Sequence, residues 1–191
     1  MRDIIKMVVV LTAICVASGL SLALVHQVTK KPIEDAKFEF LKKPGIKAVL
    51  AGYDNDPIKD RIAVPIGKDK RGRPVNLIVF PAKKNGKTFA VAFEGSGSGY
   101  HGHIGVMVGI DVKKDAITGI YVVEQSETPG KGDLILTPGF TGPFKGKSLK
   151  NKITASMIKP LSGATLSTNG VLAAVNQARE YFHKYRDKIL K

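Results

Sequence analysis

The sequence predicts an α+β protein, in which one N-terminal transmembrane helix precedes a single domain with an antiparallel sheet and flanking helices. Three patterns indicate this fold. An uncharged aliphatic run opens the chain, alternating apolar segments separated by turns occupy its middle, and an apolar stripe at helical spacing closes it. The chain has 191 residues, of which 43% are hydrophobic, so it is long enough to form one domain with its own core.

The N-terminal run Met7–Val25 contains no charged residue. A helix over this run would be roughly 28 Å long, close to the hydrocarbon thickness of a bilayer, which is about 30 Å. We therefore predict a membrane anchor over residues 1–28. A cleaved signal peptide is the alternative, because Arg2 and Lys6 precede the run and Ser21-Leu22-Ala23 resembles a cleavage site with small residues.

The segment after the anchor combines helical and irregular patterns. Lys31-Pro32 is expected to interrupt the helix. Ile33–Lys43 has its acidic residues first and its lysines last, as the helix dipole favours, and predicts a short amphipathic helix. Ile46–Tyr53 predicts further helical turns, whereas Pro57–Pro74 is expected to be irregular. The predicted organisation is an anchor over 1–28, a stalk helix over 29–45 and a domain over 46–191.

Two pairs of strands are predicted in the middle of the chain. Val75–Pro81 and Thr88–Phe93 flank Asn85-Gly86, a dipeptide typical of tight hairpin turns. Ile104–Asp111 and Ile117–Gln125 form the second pair. Since no helical pattern of useful length separates these segments, the sheet is expected to be antiparallel.

The C-terminal segment Asn169–Lys191 predicts a helix whose start Ser167 or Thr168 could cap. Its apolar residues recur every three or four positions and form one stripe. The stripe consists of Val171, Val175, Ala178, Phe182, Tyr185 and Ile189.

Composition excludes several classes of function. A single cysteine, Cys15, rules out disulfide frameworks and cysteine-ligated iron–sulfur clusters. The net charge of +14 predicts attraction to anionic surfaces. We interpret the basic segment Lys68–Pro74 as a solvated loop near anionic lipid and expect no nucleic-acid partner. His101 and His103 are likewise interpreted as a solvated loop rather than a metal site, and no set of residues indicates a catalytic centre.

Four glycine-containing loops stand out, namely Glu94–His103, Glu127–Asp133, Thr137–Gly146 and Ser162–Thr168. The fourth loop directly precedes the last predicted helix, whose first amides lack partners within the helix and create positive potential. Gly163 and Ala164 add little bulk beside the Thr165 hydroxyl. The loop therefore predicts a phosphate site, although a simple capping loop has the same composition.

The run Ser162-Gly163-Ala164-Thr165 resembles the flavinylation motif of FMN-binding subunits in two related redox-driven pumps. These are the G subunit of the Rnf electron transport complex and the C subunit of the sodium-translocating NADH:quinone reductase. The anchor, the glycine-rich loop before GVMVGID, the stretch ITGIYVVEQSETPGKG and the SGAT run occur here in family order and cover most of residues 1–185. The pairing of GVMVGID with ETPG is more similar to the Rnf subunit.

The resemblance implies a covalent FMN on Thr165, attached through its phosphate by a flavin transferase. Ser162, Gly163 and Ala164 would shape the phosphate pocket, and Ser167 and Thr168 are alternative acceptors. Residues implied beside the isoalloxazine ring or ribityl chain are Glu127, Thr128, Pro129 and Gly130, with Gly99 and Tyr100 close to the ring. Two positions depart from the family, since Lys159 replaces its usual Asp and Lys131 its usual Leu.

The resemblance further implies an electron carrier rather than a catalyst acting alone. The expected role is a relay subunit of a ferredoxin:NAD oxidoreductase that translocates Na⁺ or H⁺, bound to the other subunits of the complex and to the lipid bilayer. The expected location is the inner (plasma) membrane, with a single span and the soluble domain on the outer, periplasmic side. The alternatives are the C-type subunit, a lone exported flavoprotein, or a membrane-anchored scaffold without flavin.

Overall fold

The uncharged N-terminal run lies within the long helix α1 (Arg2–Lys37). The computed structural model describes residues 1–69 and 71–190, so Lys70 of the basic segment and the predicted helix end at Lys191 lie outside the described residues. The large apolar side chains of α1 are each more than half exposed, and the helix is long and apolar enough to cross a membrane. By its contacts, the chain divides into two units, Met1–Phe40 and Leu41–Lys191, and each is described by itself.

The prediction that Lys31-Pro32 interrupts the helix is wrong, because α1 continues through Pro32 to Lys37. Proline fixes φ near the helical value, so a helix can pass through it with the loss of one hydrogen bond. A short π-helical stretch, Phe38–Lys42, comes next in the chain. Helix α2 then covers Lys43–Val49, where the sequence predicted helical turns from Ile46.

The five strands of the domain form one antiparallel sheet in which each strand pairs with the next in sequence. This confirms the predicted fold class. The Asn85-Gly86 turn has φ values of 52° and 74°, as a tight hairpin turn requires. The strands are β1 (Ile62–Lys68), β2 (Pro74–Lys84), β3 (Lys87–Ser98), β4 (His103–Asp111) and β5 (Ala116–Glu124).

Two sequence predictions about the sheet are wrong. The segment Pro57–Pro74, expected to be irregular, contains the edge strand β1. A register shift between Pro65 and Gly67 breaks its alternation, and both residue types are typical of edge strands and bulges. The glycine-rich loop expected from Glu94 starts later, because β3 extends to Ser98.

Helices cover both faces of the sheet. Helix α4 (Thr165–Ile189) packs against β3 and β4, and α2 packs against β4 and β5 on the opposite face. The contact between α4 and β3 is a close approach of two backbones, since a β-carbon at Gly97 would clash with the carbonyl oxygen of Gly170. The core beneath α4 includes the fully buried Phe93, Phe140, Phe144 and Phe182. Burial of each such ring contributes about 1.5–3 kcal/mol.

Helix α4 begins at Thr165, four residues earlier than the sequence predicted. The expectation that Ser167 or Thr168 caps it is therefore wrong, because both lie in its first turn. The N-cap position belongs to Ala164, whose side chain cannot accept a hydrogen bond. The helix start thus has no capping side chain of its own that would compete with a ligand for its amides.

Candidate functional site

A cavity of about 520 Å³ opens beside the start of α4. Its size falls within the range of small-molecule sites, about 300–1,000 Å³. Three segments that are distant in sequence supply its walls. The lining residues are Tyr100, Glu127, Thr128, Lys131, Gly132, Gly163, Ala164, Thr165, Leu166 and Ser167.

Six of the residues predicted from the sequence meet at this cavity, namely Tyr100, Glu127, Thr128, Gly163, Ala164 and Thr165. The other four, Gly99, Pro129, Gly130 and Ser162, adjoin lining residues in the chain but do not themselves line the cavity in the described structure. Lys131, noted as a departure from the family, and Ser167, named as an alternative acceptor, also line the cavity. The sequence reasoning missed the lining positions Gly132 and Leu166. The position of Leu166 in the first turn of α4 could have indicated it, but no local pattern marks Gly132.

The first turn of α4 offers unpaired amides at one end of the cavity. The amide of Thr168 donates to the carbonyl of Ala164 at 3.0 Å, which is the first hydrogen bond of the helix. The amides of residues 165–167 therefore have no partner within the helix. Gly163, with φ of +73°, makes the turn that leads into it. The side chain of Thr165 is exposed, so its hydroxyl is accessible beside these amides.

The two other hydroxyls of this turn face inward. Ser167 is 2% exposed and donates its hydroxyl hydrogen to Oε2 of Glu127. Thr168 is 1% exposed, and its Oγ1 accepts a hydrogen bond from the amide of Leu161 at 3.3 Å. Both hydroxyls are therefore occupied within the protein, in contrast to that of Thr165.

The buried carboxylate of Glu127 joins the three walls of the cavity. Besides the hydroxyl of Ser167, it accepts hydrogen bonds from the amide of Tyr100 at 3.2 Å and from the amide of His101 at 3.0 Å. These partners belong to α4 and to the loop after β3, while Glu127 itself belongs to the loop after β5. We call this arrangement the Glu127 clamp.

The clamp keeps Glu127 ionised. Burial is the largest single influence on the pKa of Glu127 and acts to raise it. The hydrogen bonds from Ser167 and from the amides of His101 and Tyr100, with the nearby imidazole of His101, together outweigh burial and lower the pKa below its usual value. The carboxylate therefore holds the walls as an anion at neutral pH.

Two glycines make room for the clamp. A β-carbon at Gly99 would lie 2.5 Å from Oε1 of Glu127, and one at Gly132 would lie 2.7 Å from Cβ of Glu127 and 2.9 Å from Oγ of Ser167. A side chain at either position would therefore displace Glu127 from this arrangement. The loops can thus approach the carboxylate only because both positions are glycine.

The other two walls of the cavity contribute a tight turn and an exposed aromatic ring. The carbonyl of Thr128 accepts hydrogen bonds from the amides of Lys131 and Gly132, at 3.2 and 3.0 Å. The Oγ1 of Thr128 lies 3.3 Å from Nδ1 of His101. Tyr100 is 66% exposed and meets the ring of His101 edge-on, with 4.6 Å between ring centroids. Its face is available to a planar apolar group.

These features suit a flavin mononucleotide. Unpaired amides and the dipole of α4 favour a phosphate at the helix start. The Thr165 hydroxyl lies at the same place, and the cavity volume and the Tyr100 ring suit a planar ring system. The residues present therefore fit FMN, with the phosphate at the α4 end.

Comparison with known proteins supports this assignment. The FMN-binding domain family matches residues 99–180. The G subunit of the ion-translocating oxidoreductase complex from Pseudomonas aeruginosa is 30% identical over 88% of this chain and 83% of its own length. The protein of the same name from Methanosarcina acetivorans is 27% identical, over 94% of this chain and 95% of its own.

Two further similarities extend the comparison. The G subunit of the Na(+)-translocating ferredoxin:NAD(+) oxidoreductase complex from Acetobacterium woodii is 27% identical over 95% of this chain and 92% of its own length. The crystal structure of NqrC from Shewanella oneidensis has a TM-score of 0.53 and 25% identity, and it covers 71% of this chain and 74% of its own. The predicted resemblance is confirmed: this chain, with its FMN-binding domain, belongs to the family of G subunits of ion-translocating oxidoreductase complexes.

Proposed function

We propose that this chain is an electron-relay subunit of a Rnf-type ion-translocating oxidoreductase and carries FMN in a phosphoester bond to Thr165. The names of its relatives support the complex, and that of the Acetobacterium woodii protein supports ferredoxin and NAD⁺ as the redox partners of the whole assembly. The chain itself is an electron carrier rather than a catalyst acting alone.

The observation that carries the attachment site is the contrast among the three hydroxyls at the start of α4. Thr165 is exposed and lines the cavity, whereas Ser167 and Thr168 are buried and hydrogen-bonded within the protein. A flavin transferase needs an accessible hydroxyl on a segment that it can reach. Thr165 meets both needs, so we assign the phosphoester to it rather than to the two alternatives.

The surrounding residues would hold and orient the cofactor. The unpaired amides of residues 165–167 would donate hydrogen bonds to the phosphate, and Gly163 leaves space for it. The Glu127 clamp would hold the loops after β3 and β5 against α4, with Tyr100 and Thr128 beside the ring system or the ribityl chain. When bound, FMN supplies one- and two-electron chemistry, and a covalent bond keeps it from dissociating during exchange with neighbouring subunits.

The proposed setting is the cytoplasmic (inner) membrane. Helix α1 would be the single membrane span, and the FMN domain would lie on the outer side. A covalent cofactor fits this location, because a dissociable one would be lost by dilution outside the cell. The partners would be the other subunits of the complex, the lipid bilayer and the flavin transferase.

The likeness to NqrC favours a second candidate, the C-type subunit of a sodium-translocating NADH:quinone reductase. The two functions share the flavin site and differ in the companion subunits. Purification from native membranes through this chain distinguishes them. Companions with ferredoxin- and NAD-linked activity support the Rnf assignment, whereas quinone reductase subunits support the second candidate, and a chain without companions indicates a lone flavoprotein.

The attachment is tested by the intact mass of the native chain and by peptide mapping across residues 162–168. A mass increase equal to FMN minus one water, located on Thr165, is the expected result. Thr165→Ala should lose the adduct, whereas Thr165→Ser, which keeps a hydroxyl, should retain some of it. An adduct on Ser167 or Thr168 would move the site, and an unmodified native chain in an assembled complex would favour the scaffold alternative.

Substitution of the exposed Lys159 tests whether the flavin transferase recognises this position, without changing the cavity itself. Lys159→Asp restores the usual residue of the family at a position outside the cavity lining. We expect equal or greater flavin incorporation in this variant, at an unchanged unfolding temperature. The matched control is Lys152→Asp, an exposed lysine seven residues earlier.

A further inference from the structure

Three side chains able to bind a metal lie on the sheet face that α2 covers, whereas α4 packs on the opposite face. They are Glu94 in β3, His103 at the start of β4 and Glu124 at the end of β5. One nitrogen or oxygen atom of each lies within 4.8 Å of those of the other two. These residues are separated in sequence and converge only because three consecutive strands pair side by side.

The register of the sheet leaves a gap at the centre of this cluster. Gly105 in β4 pairs with Ser96 on one side and with Glu124 on the other. A β-carbon at Gly105 would lie 2.6 Å from Oε1 of Glu94 and 3.4 Å from Cβ of Glu124. The carboxylate of Glu94 therefore occupies space above Gly105 that a side chain would fill. Any larger residue here would separate the two glutamates.

The distance between His103 and Glu124 suits a shared ion better than a direct bond. Nε2 of His103 lies 4.0 Å from Oε2 of Glu124, which is too long for a hydrogen bond. Ligands bound to one Zn²⁺ at about 2.0–2.2 Å are separated by roughly 3.3–3.6 Å in tetrahedral geometry. Both side chains are about half exposed, at 49% and 45%, so they can move by the small distance required.

The other ring nitrogen of His103 has a partner that would orient the ring. Nδ1 lies 3.2 Å from Oγ of Ser96. If Nδ1 carries the hydrogen and donates it to Oγ of Ser96, the lone pair of Nε2, the nitrogen near Glu124, is free to bind a metal ion. Histidines that bind metals commonly donate their second N–H to such an outer partner.

Charge is consistent with a cation at this place. The chain carries +14 overall, yet two carboxylates converge here beside an imidazole. Lys42 pairs with Oε2 of Glu94 at 2.8 Å and offsets the negative charge of that carboxylate. A bound cation would therefore compete with this ammonium group, and removal of the lysine charge should strengthen binding.

We propose that Glu94, His103 and Glu124 form a binding site for one divalent transition-metal ion, with Zn²⁺ as the expected occupant. One imidazole nitrogen and two carboxylates match Zn²⁺, whereas Mg²⁺ and Ca²⁺ prefer oxygen ligands alone. Three protein ligands would leave a position open to water or to a side chain of a partner subunit. The site is distinct from the FMN cavity, since none of its three residues lines that cavity.

The test is titration of the full-length chain in detergent with Zn²⁺ in competition with a coloured chelator. The protein is purified without a histidine tag and stripped of metal first. We expect one Zn²⁺ per chain, about tenfold or more weaker binding in His103→Gln and in Glu124→Gln, and tighter binding in Lys42→Gln. His26→Gln, which replaces an exposed histidine of α1 outside both sites, is the matched control and should bind as the unchanged chain does.

Equal binding in His103→Gln and in the unchanged chain would overturn the proposal, as would the absence of binding in the unchanged chain. X-ray absorption of the unchanged zinc-loaded protein provides a readout that depends on no variant. One nitrogen and further oxygen ligands at about 2.0–2.2 Å support the site. A sulfur ligand, which only Cys15 or a methionine could supply, would place the ion elsewhere.

Discussion

Two of the contacts that helix α4 makes with the rest of the domain differ in kind. Along its length, the backbone of Gly170 lies against Gly97 of β3 with no room for a β-carbon. At its start, Ser167 is bound through its hydroxyl to the ionised carboxylate of Glu127. At the Gly97–Gly170 contact the helix is thus positioned by shape, which does not depend on pH. The start of the helix, which lines the proposed cofactor cavity, is positioned by charge.

The largest loss of stability is expected from a substitution at the close contact between Gly97 and Gly170. Gly97→Ala would place a methyl group against the carbonyl of Gly170, and neither backbone can yield without moving α4 or β3. Overpacking of this kind costs about 3 kcal/mol, so the unfolding temperature of the full-length chain should fall by about 6–12 °C. Circular dichroism in detergent measures this.

The matched control for that variant is Gly139→Ala, because the described structure places nothing within 4 Å of a β-carbon there. It should leave the unfolding temperature within about 2 °C of the unchanged chain, as surface substitutions do. Equal temperatures for both alanine variants would show that the contact between α4 and β3 is looser than the structure indicates.

A smaller loss of stability is expected at the Glu127 clamp. Glu127→Gln keeps the shape of the side chain but removes the charge and one acceptor, so the Ser167 hydroxyl or the Tyr100 amide loses its partner. Hydrogen bonds to a charged group contribute about 1.5–3 kcal/mol each. We expect a loss of about 2 kcal/mol and lower flavin incorporation in cells, while the exposed Glu180→Gln should change neither.

The two contacts also differ in their response to acid. The pKa of Glu127 is lowered in the folded protein, so the clamp contributes stability above the usual carboxyl pKa, and this contribution is lost as the pH falls through the lowered folded pKa. The difference in unfolding temperature between the unchanged chain and Glu127→Gln should therefore be constant near neutral pH and shrink in acid. The loss of unfolding temperature in Gly97→Ala should be the same at low pH as at neutral pH. If the loss in Glu127→Gln also remained unchanged at low pH, that result would argue against an ionised clamp.

Sequence patterns predicted the parts of the molecule whose causes are local. The Asn85-Gly86 turn defines its hairpin, and the SGAT run with the helix after it forms one end of the cavity, where we propose the phosphate binds. Strand β1 was missed because its bulge at residues 65–67 breaks the alternation that reveals a strand. Its pairing with β2 could be recognised only in the folded sheet.

The Glu127 clamp could not be predicted from the sequence either, because its contacts also form only in the folded domain. Glu127 was predicted beside the cofactor, but its partners His101 and Ser167 are 26 and 40 positions away. No periodicity connects such residues, and their contact depends on how three loops close together. Gly99 and Gly132 were equally hard to interpret, because the atoms that exclude a side chain there belong to residues that only the fold brings close, namely Glu127, Ile104 and Ser167.

The smallest effect is expected at Lys131, an exposed lysine that lines the cavity where the family usually has leucine. A nearby cation favours the reduced, more negative form of a bound flavin, so Lys131→Leu should lower its midpoint potential. An exposed charge contributes about 0.2–1 kcal/mol, which corresponds to roughly 5–20 mV for a two-electron couple. Spectroelectrochemistry of the flavin-loaded chain measures this, with Lys152→Leu as the control outside the cavity. Screening should shrink the difference in concentrated salt, and a shift that ignores salt would indicate that leucine acts through packing on the ring instead.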